Sequence, residues 1–325
     1  MRQPELSVII PTYNRMDRLR RCLDALGQQS LPSEDFEVLV VVDGSADGTM
    51  SMLERLNPPF TLRSIWQENG GQASALNRGI ADARGRFCLF IDDDIVVAPE
   101  CLARHLEVQR GQDHVVAVGQ LTLELPAHAG WYARAFAEGW RRHYQALNEG
   151  ARAFTWEDCY SGNMSAPRNQ LIECGGFDTG LRRGFDVELA QRLEQAGCTF
   201  SYLPGAVGCQ EERKGFSELS RDIEEAGFAD VQLLAGARAL VPTGLASFMT
   251  GHPYKVRLTR ILLMLRVPPR LLSLLGPLLP SSRHRYLYHS LIQNLCYWRG
   301  VRRASMGTEL WAQIVSGNIG LQRVL

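Results

Sequence analysis

Phe90-Ile91-Asp92-Asp93-Asp94 places three consecutive carboxylates directly behind a short apolar run. Adjacent acids repel one another and resist burial. A divalent cation relieves that repulsion, and hard oxygen ligands select Mg2+ or Mn2+. A metal held there would also bind a diphosphate and neutralise charge as a nucleotide leaves. Read alone, the triplet fits a solvated acidic turn better, because short motifs recur by chance. A second acidic strand end is Val41-Val42-Asp43-Gly44-Ser45-Ala46-Asp47-Gly48-Thr49. Asp43 can accept a hydrogen bond from a base N–H, Gly44 and Gly48 permit tight turns beside a ligand, and Asp47 reads as a helix cap.

Three further segments add polar groups. Pro11-Thr12-Tyr13-Asn14 follows the first apolar run; Tyr13 could stack on a nucleobase and Thr12 could hydrogen-bond it. Asn69-Gly70-Gly71-Gln72 precedes an amphipathic stretch, where glycine lets a phosphate approach backbone N–H groups. Gly184-Phe185-Asp186-Val187-Glu188-Leu189 opens another such stretch. There Asp186 reads as an N-cap first, and as a general base for an acceptor hydroxyl second. No GxxxxGK[ST] and no GxGxxG occurs, which counts against P-loop and dinucleotide sites.

The elements that must position these residues follow from periodicity. Leu6–Ile10, Glu37–Val42, Thr61–Trp66 and Phe87–Ile91 are short apolar or β-branched runs, each a predicted buried strand. Arg15–Gln29, Asp47–Leu56 and Gln72–Ala83 lie between them, with Leu19, Cys22, Leu23 and Leu26 at helical spacing. Such alternation predicts an α/β fold with a mostly parallel sheet and helices on both faces, and a site beyond the carboxyl ends of the strands. A helix near Pro99–Arg110 and a strand near Val115–Gln120 follow. The aromatic-rich residues 126–156 read as a helical excursion or mobile insertion, Asn169–Cys174 and Asp186–Ala196 as helices, and Thr199–Leu203 as a strand. Beyond Ser217 the pattern is helical. The expected division is a catalytic domain over 1–240 and a helical extension over 241–325.

Composition narrows the class. Lys and Arg number 35 and Asp and Glu 35, a balance that argues against a nucleic-acid binder. Eight scattered cysteines without a CxxC pair argue against a zinc cluster or disulfide scaffold and suit a cytoplasmic setting. Val8-Ile9-Ile10 is too short for a signal-peptide core, and Ile261–Leu279 is broken by Arg266, Pro268, Pro269, Arg270 and Pro277, so it reads as non-spanning.

Taken in order, SVIIPTYNR, VVVDGSADGT, NGGQASALNRGI, FIDDD, GNMSAPR, GGFD, GFDVELAQRLEQAG and YLPGAV resemble the family two inverting glycosyltransferases, from about Leu6 to Val207. The resemblance implies a GT-A fold and transfer of a sugar from a nucleotide-diphosphate sugar, a UDP-sugar first, to a hydroxyl in glycan or cell-envelope polysaccharide synthesis. By the same resemblance Pro11, Tyr13 and Asp43 hold base and ribose. Asp92 and Asp94 end the DxD motif, with Asp94 on a Mn2+ or Mg2+ and Asp92 toward ribose or metal. Gly162 and Asn163 lie under the sugar, and Asp186 is the base; Thr12, Gly71 and Asp93 complete the expected donor site. Three departures stand out: Val42 and Phe185 occupy positions that are often acidic, and Gln210 stands where many relatives have a histidine. Arg213 and Lys214, just beyond, are expected to supply positive charge to the diphosphate instead.

Lys255, Arg257, Arg260, Arg266, Arg270, Arg283 and Arg285 lie among leucines in the extension. They suit a helix seated on an anionic membrane surface, or equally a helical cap with an arginine-lined outer face. The expected partners are therefore a nucleotide sugar and a glycan or lipid-linked acceptor, with peripheral contact at the inner face of a membrane open and no nucleic acid. Two other functions compete: a nucleotidyltransferase, disfavoured because PTYNR lacks a glycine-rich basic loop, and an inactive transferase-like scaffold, disfavoured by the retained aspartates.

Overall fold

The computed structural model describes residues 3–235 and 253–308. Eight strands form one sheet: β1 (Leu6–Thr12), β2 (Phe36–Asp43), β3 (Thr61–Gln67), β4 (Phe87–Ile91), β5 (Ile95–Val97), β6 (Val115–Glu124), β7 (Asn163–Pro167) and β8 (Thr199–Glu211). Their order is β3-β2-β1-β4-β7-β6-β8-β5. The half β3-β2-β1-β4 is all parallel. Beyond it β7 runs antiparallel to β4 and β6, and β5 runs antiparallel to β8. The sheet is therefore mixed, with its expected parallel character confined largely to the N-terminal half. Strands β5 and β7 escape sequence reading because one is three residues long and the other, Asn-Met-Ser-Ala-Pro, is polar and ends in proline. β8 runs well past the expected Leu203, through an irregularity opposite Gly119 and Gln120.

Connecting helices are α1 (Met16–Leu26), α2 (Thr49–Arg55), α3 (Gln72–Asp82), α4 (Cys101–Gly111), α5 (Trp131–Asn148), α6 (Arg168–Glu173) and α7 (Phe185–Gln195). Strands β1, β2 and β4 are buried along their whole length, which is why they read as continuous apolar runs instead of alternating ones. A core of Ile9, Leu76, Ile80, Phe90, Met164, Phe177, Phe185, Leu189 and Leu193 joins α3 and α7 to the sheet. Phe90 and Phe177 meet edge to face at 5.2 Å, and Phe177 and Phe185 at 5.7 Å. Phe185 is thus a core residue: its burial anchors the start of α7 and accounts for an apolar side chain where the family often has an acid.

The remaining helices are α8 (Phe216–Ala235), α9 (Pro253–Met264), α10 (Pro269–Ser273) and α11 (Ser282–Ser305). The chain divides into two compact units. One comprises Met1–Glu124 with Arg141–Glu212, and the other Leu125–Trp140 with the described residues from Arg213 onward. The boundary expected near residue 240 lies outside the described residues. In the helical unit α8 and α11 approach closely at Gly227 and Gly300. A Cβ on Gly300 would lie 1.8 Å from the Glu224 carbonyl oxygen, and one on Gly227 2.1 Å from that of Tyr297. Tyr132, Leu219, Ile292 and Cys296 form its buried centre.

Candidate active site

The parallel half of the sheet delivers two acidic strand ends. At the end of β2, Asp43 is buried. Its Oδ1 accepts from Gln67 Nε2 at 2.7 Å and Gly70 N–H at 2.8 Å, its Oδ2 from Gly71 N–H at 2.9 Å, and its carbonyl from Asn69 Nδ2 at 3.1 Å. Gly44 and Gly71 have φ of +79° and +87°, a region that favours glycine. A Cβ on Gly44 would lie 3.0 Å from Asn69. The NGGQ loop therefore closes on Asp43, and the Gly71 N–H expected to face phosphate is engaged by that carboxylate. Asp47 reaches further than a single cap: its Oδ1 accepts from Thr49 N–H, and its Oδ2 from Met16 N–H at the start of α1.

Two strands away, Asp92, Asp93 and Asp94 follow β4. Asp93 is buried, and its Oδ2 accepts from Thr12 Oγ1 at 2.8 Å and its Oδ1 from Arg15 Nη1 at 3.0 Å. Thr12 is itself buried, so its hydroxyl serves Asp93 and not a nucleobase. Asp94 Oδ2 meets Arg18 at 3.2 Å and Arg15 at 3.5 Å, while its Oδ1 accepts from Gln210 Nε2 at 3.2 Å. Asp92 is only half-buried, and its Oδ1 accepts from Gln72 Nε2 at 2.8 Å. Burial, then the charges of Asp94, Asp93 and Asp186, push its carboxyl up to about 7. Burial also raises Asp93, against the opposing pull of Arg15.

The other half of the sheet brings Asp186 to the same place. It lies in the first turn of α7, behind Gly184 at φ +73°. Its oxygens accept from Ser161 N–H at 3.3 Å and Val187 N–H at 3.0 Å. Burial raises its carboxyl, and those two N–H groups pull it back. Gly162 closes the gap: a Cβ there would lie 2.9 Å from Ile95 Cδ1 and 3.0 Å from Asp92 Oδ2. Asn163, expected under the sugar, is fully buried. Its Oδ1 lies 3.0 Å from His105 Nε2 and its Nδ2 donates to the Ala206 carbonyl at 2.9 Å, so it braces β7 from inside.

The structure thus gathers Asp92, Asp93, Asp94, Asp186, Gly162 and Gln210, with Thr12 beneath them. Tyr13 is 50% exposed, its ring open to a stacking partner, while Pro11 is buried within β1 opposite Val41. Arg213 and Lys214 belong to the helical unit, where Lys214 pairs with Asp222 at 2.8 Å. Arg15, Arg18 and Gln72 were not expected at the site. Their signal lay in charge balance: three adjacent acids need counter-charges, and Arg15 and Arg18 stand three residues apart at the start of the helix after the neighbouring strand, Arg15 just before it and Arg18 in its first turn.

A divalent cation can be weighed against this donor set. Asp92 keeps a half-buried carboxylate that burial first, and then the neighbouring acids, push toward protonation; a cation would relieve the repulsion among the acids. Both oxygens of Asp94 are already met by arginine and Gln210. Among the described residues no group of three or more His, Cys, Asp or Glu could hold a metal alone. The residues fit an ion that takes its remaining oxygens from a bound ligand, and not a closed protein cage.

Known proteins agree with this architecture. The glycosyltransferase YfnE of Bacillus subtilis, itself uncharacterized, is 30% identical over 253 residues, covering 63% of this chain and 64% of the relative, so the chain spans just under two thirds of it. Among solved structures, the mannosyltransferase PcManGT of Pyrobaculum calidifontis, in complex with GDP-Man and Mn2+, matches with a TM-score of 0.65 at 19% identity, over 92% of this chain and 88% of that one. TarS 1-349 of Staphylococcus aureus, in complex with UDP-GlcNAc, matches with a TM-score of 0.52 at 17% identity, over 92% and 91%. These likenesses carry the fold, an α/β sheet of the GT-A kind with added C-terminal helices. The family model described as glycosyl transferase family 2 matches residues 7–175, just over half of the chain, and the protein belongs to that family of glycosyltransferases.

Proposed function

We propose that this glycosyltransferase moves a sugar from a nucleotide-diphosphate sugar, a UDP-sugar first, to a hydroxyl acceptor with inversion at the anomeric carbon. The observation that carries the reading is the meeting of the Asp92–Asp94 strand end with Asp186 at one loop: Ser161 N–H donates to Asp186 at 3.3 Å, and a Cβ on the adjacent Gly162 would lie 3.0 Å from Asp92 Oδ2. Asp186 takes the proton of the acceptor hydroxyl. The freed oxygen pair bonds to the anomeric carbon as the bond to the diphosphate breaks, and the electrons of that bond leave with the nucleoside diphosphate. Ser161 and Val187 N–H groups hold the Asp186 carboxylate in place, and Gly162, without a side chain, lets Asp92 pack directly against the loop that carries Ser161. Tyr13 stacks on the base, and Asp43, fixed by the NGGQ loop, faces the ribose side. A Mn2+ or Mg2+ at Asp92 and Asp94 would neutralise charge on the departing diphosphate.

The bound GDP-Man and Mn2+ of the archaeal neighbour and the UDP-GlcNAc of the staphylococcal one support a nucleotide-sugar donor and a divalent ion. The staphylococcal name, poly(ribitol-phosphate) beta-N-acetylglucosaminyltransferase, supports a cell-envelope acceptor. A panel of UDP-, GDP- and dTDP-sugars, scored for thermal stabilisation with and without Mn2+ and then for hydrolysis and transfer, tests the reading. Stabilisation by one donor and a product of inverted configuration are expected. A product that retains the donor configuration would refute the single displacement.

A further inference from the structure

The charges of this chain balance over its length, 35 against 35, but not along it. No Asp or Glu occurs between Asp230 and Glu309, and that stretch carries eleven Lys and Arg. Part of the excess is neutralised within the helical unit. Arg299 and Arg303 pair with Glu224 and Glu225 on α8, and Arg302 donates to the Leu263 carbonyl. Arg266, Arg270 and Arg283 are exposed and form no ion pair among the described residues.

The same stretch holds most of the exposed apolar surface. Of fourteen large hydrophobic side chains exposed among the described residues, ten lie between Leu258 and Met306. Leu271, Leu274, Leu275 and Leu278 are 58%, 67%, 51% and 78% exposed. Their spacing is that of one helical face, and the backbone from Pro269 to Leu278 is right-handed helical, as α10, two αR residues and a 3-10 turn. The opposite face is pinned down. Trp131 Nε1 donates to the Ser273 carbonyl at 3.0 Å, and the Tyr288 hydroxyl to that of Leu272 at 3.0 Å. A Cβ on Gly276 would lie 2.0 Å from the Trp131 ring. A firmly held helical segment therefore turns four leucines outward, and in sequence Arg266 precedes it, Arg270 lies within it and Arg283 follows it. Apolar surface of this kind marks an interaction site.

We propose that this face seats on an anionic lipid surface, with Leu271, Leu274, Leu275 and Leu278 entering the acyl boundary and Arg266, Arg270 and Arg283 meeting lipid phosphates. Charge complementarity selects this occupant. A surface of uniform negative charge favours a stretch free of acids, whereas a protein partner presents both signs. No helix among the described residues is long and apolar enough to cross a membrane, so the contact is peripheral. The inference stands apart from sugar transfer, because vesicle binding needs neither donor nor acceptor.

The test is co-sedimentation of the full chain with vesicles of phosphatidylcholine alone or mixed with phosphatidylglycerol, at low and high NaCl. Binding only to the anionic vesicles, weakened by salt, is expected. Arg266→Glu, Arg270→Glu and Arg283→Glu together should lower partitioning on the order of a hundredfold. Leu274→Ser with Leu278→Ser should lower it about tenfold or more. Both variants alter exposed side chains, so their thermal melts should match the parent. Absence of binding to anionic vesicles, or undiminished partitioning of either variant, overturns the proposal. So does a concentration-dependent dimer that the leucine variant abolishes, since the face would then belong to a second copy.

Discussion

At the end of β2 the carboxylate of Asp43 is held by neutral groups: two backbone N–H donors and the Gln67 amide. Two strands away, at the end of β4, Asp93 and Asp94 are held by Arg15 and Arg18, and the Asp92 carboxylate accepts from the Gln72 amide. The first arrangement fixes one acceptor geometrically and leaves no competing charge beside it. The second packs several charges together, and there burial, joined by the neighbouring acids, pushes the Asp92 carboxyl up to about 7. The same residue type, in the same topological position, serves as a fixed hydrogen-bond acceptor in one place and as a charge cluster in the other. The contrast separates a fixed hydrogen-bond acceptor at β2 from a charge cluster at β4.

That separation can be broken experimentally. The largest effect is expected at the charge cluster. Asp186→Asn removes the proposed base and should lower kcat on the order of a thousandfold while donor affinity holds; equal losses in both would place Asp186 in donor binding. Next comes the brace beneath β4 and β7. His105 is buried, and burial depresses its pKa to about 4. Its folded value lies below the ordinary 6.5, so the stability it contributes is present above 6.5. That contribution is lost as pH falls toward 4, because the unfolded chain takes up a proton that the native state refuses. The loss should reach roughly 3 kcal/mol. Melts at pH 7.5 and 4.5 should show a fall that His105→Gln flattens; parallel slopes would remove His105 as its source.

A smaller effect sharpens the comparison at β2. Asp43→Ala strands the Gly70 and Gly71 N–H groups, at a cost of about 1–3 kcal/mol in denaturant unfolding. Arg15→Ala, by contrast, should cost about 1 kcal/mol, since Arg15 is 44% exposed and water screens its pairing. A larger loss for Arg15→Ala would reverse the assignment of neutral and ionic support.

Much of this was legible before any coordinates. Buried strands β1, β2 and β4 announce themselves because full burial demands unbroken apolar runs. Asp43, Asp92, Asp94 and Asp186 are singled out by the resemblance to the family; read locally, the triplet is an acidic turn and Asp186 first a helix cap. What stayed hidden depends on partners distant in sequence. Thr12 reads as a hydrogen-bond partner for a nucleobase until β4 lies beside β1 and brings Asp93 to it. Gly71 reads as a phosphate loop until the end of β3 brings it against Asp43. Asn163 reads as a ligand contact until α4 places His105 behind it. The antiparallel strand β7 carries no apolar periodicity, so neither its existence nor the route by which Asp186 reaches Asp92 could be read from composition.

The most direct test of the account is donor binding to three forms of the full chain, parent, Asp92→Asn and Asp186→Asn, measured calorimetrically with the stabilising nucleotide sugar, with and without Mn2+. The charge-cluster account predicts Mn2+-dependent binding that Asp92→Asn loses on the order of a hundredfold and Asp186→Asn keeps. Binding by Asp92→Asn that matches the parent in both affinity and Mn2+ dependence would contradict it.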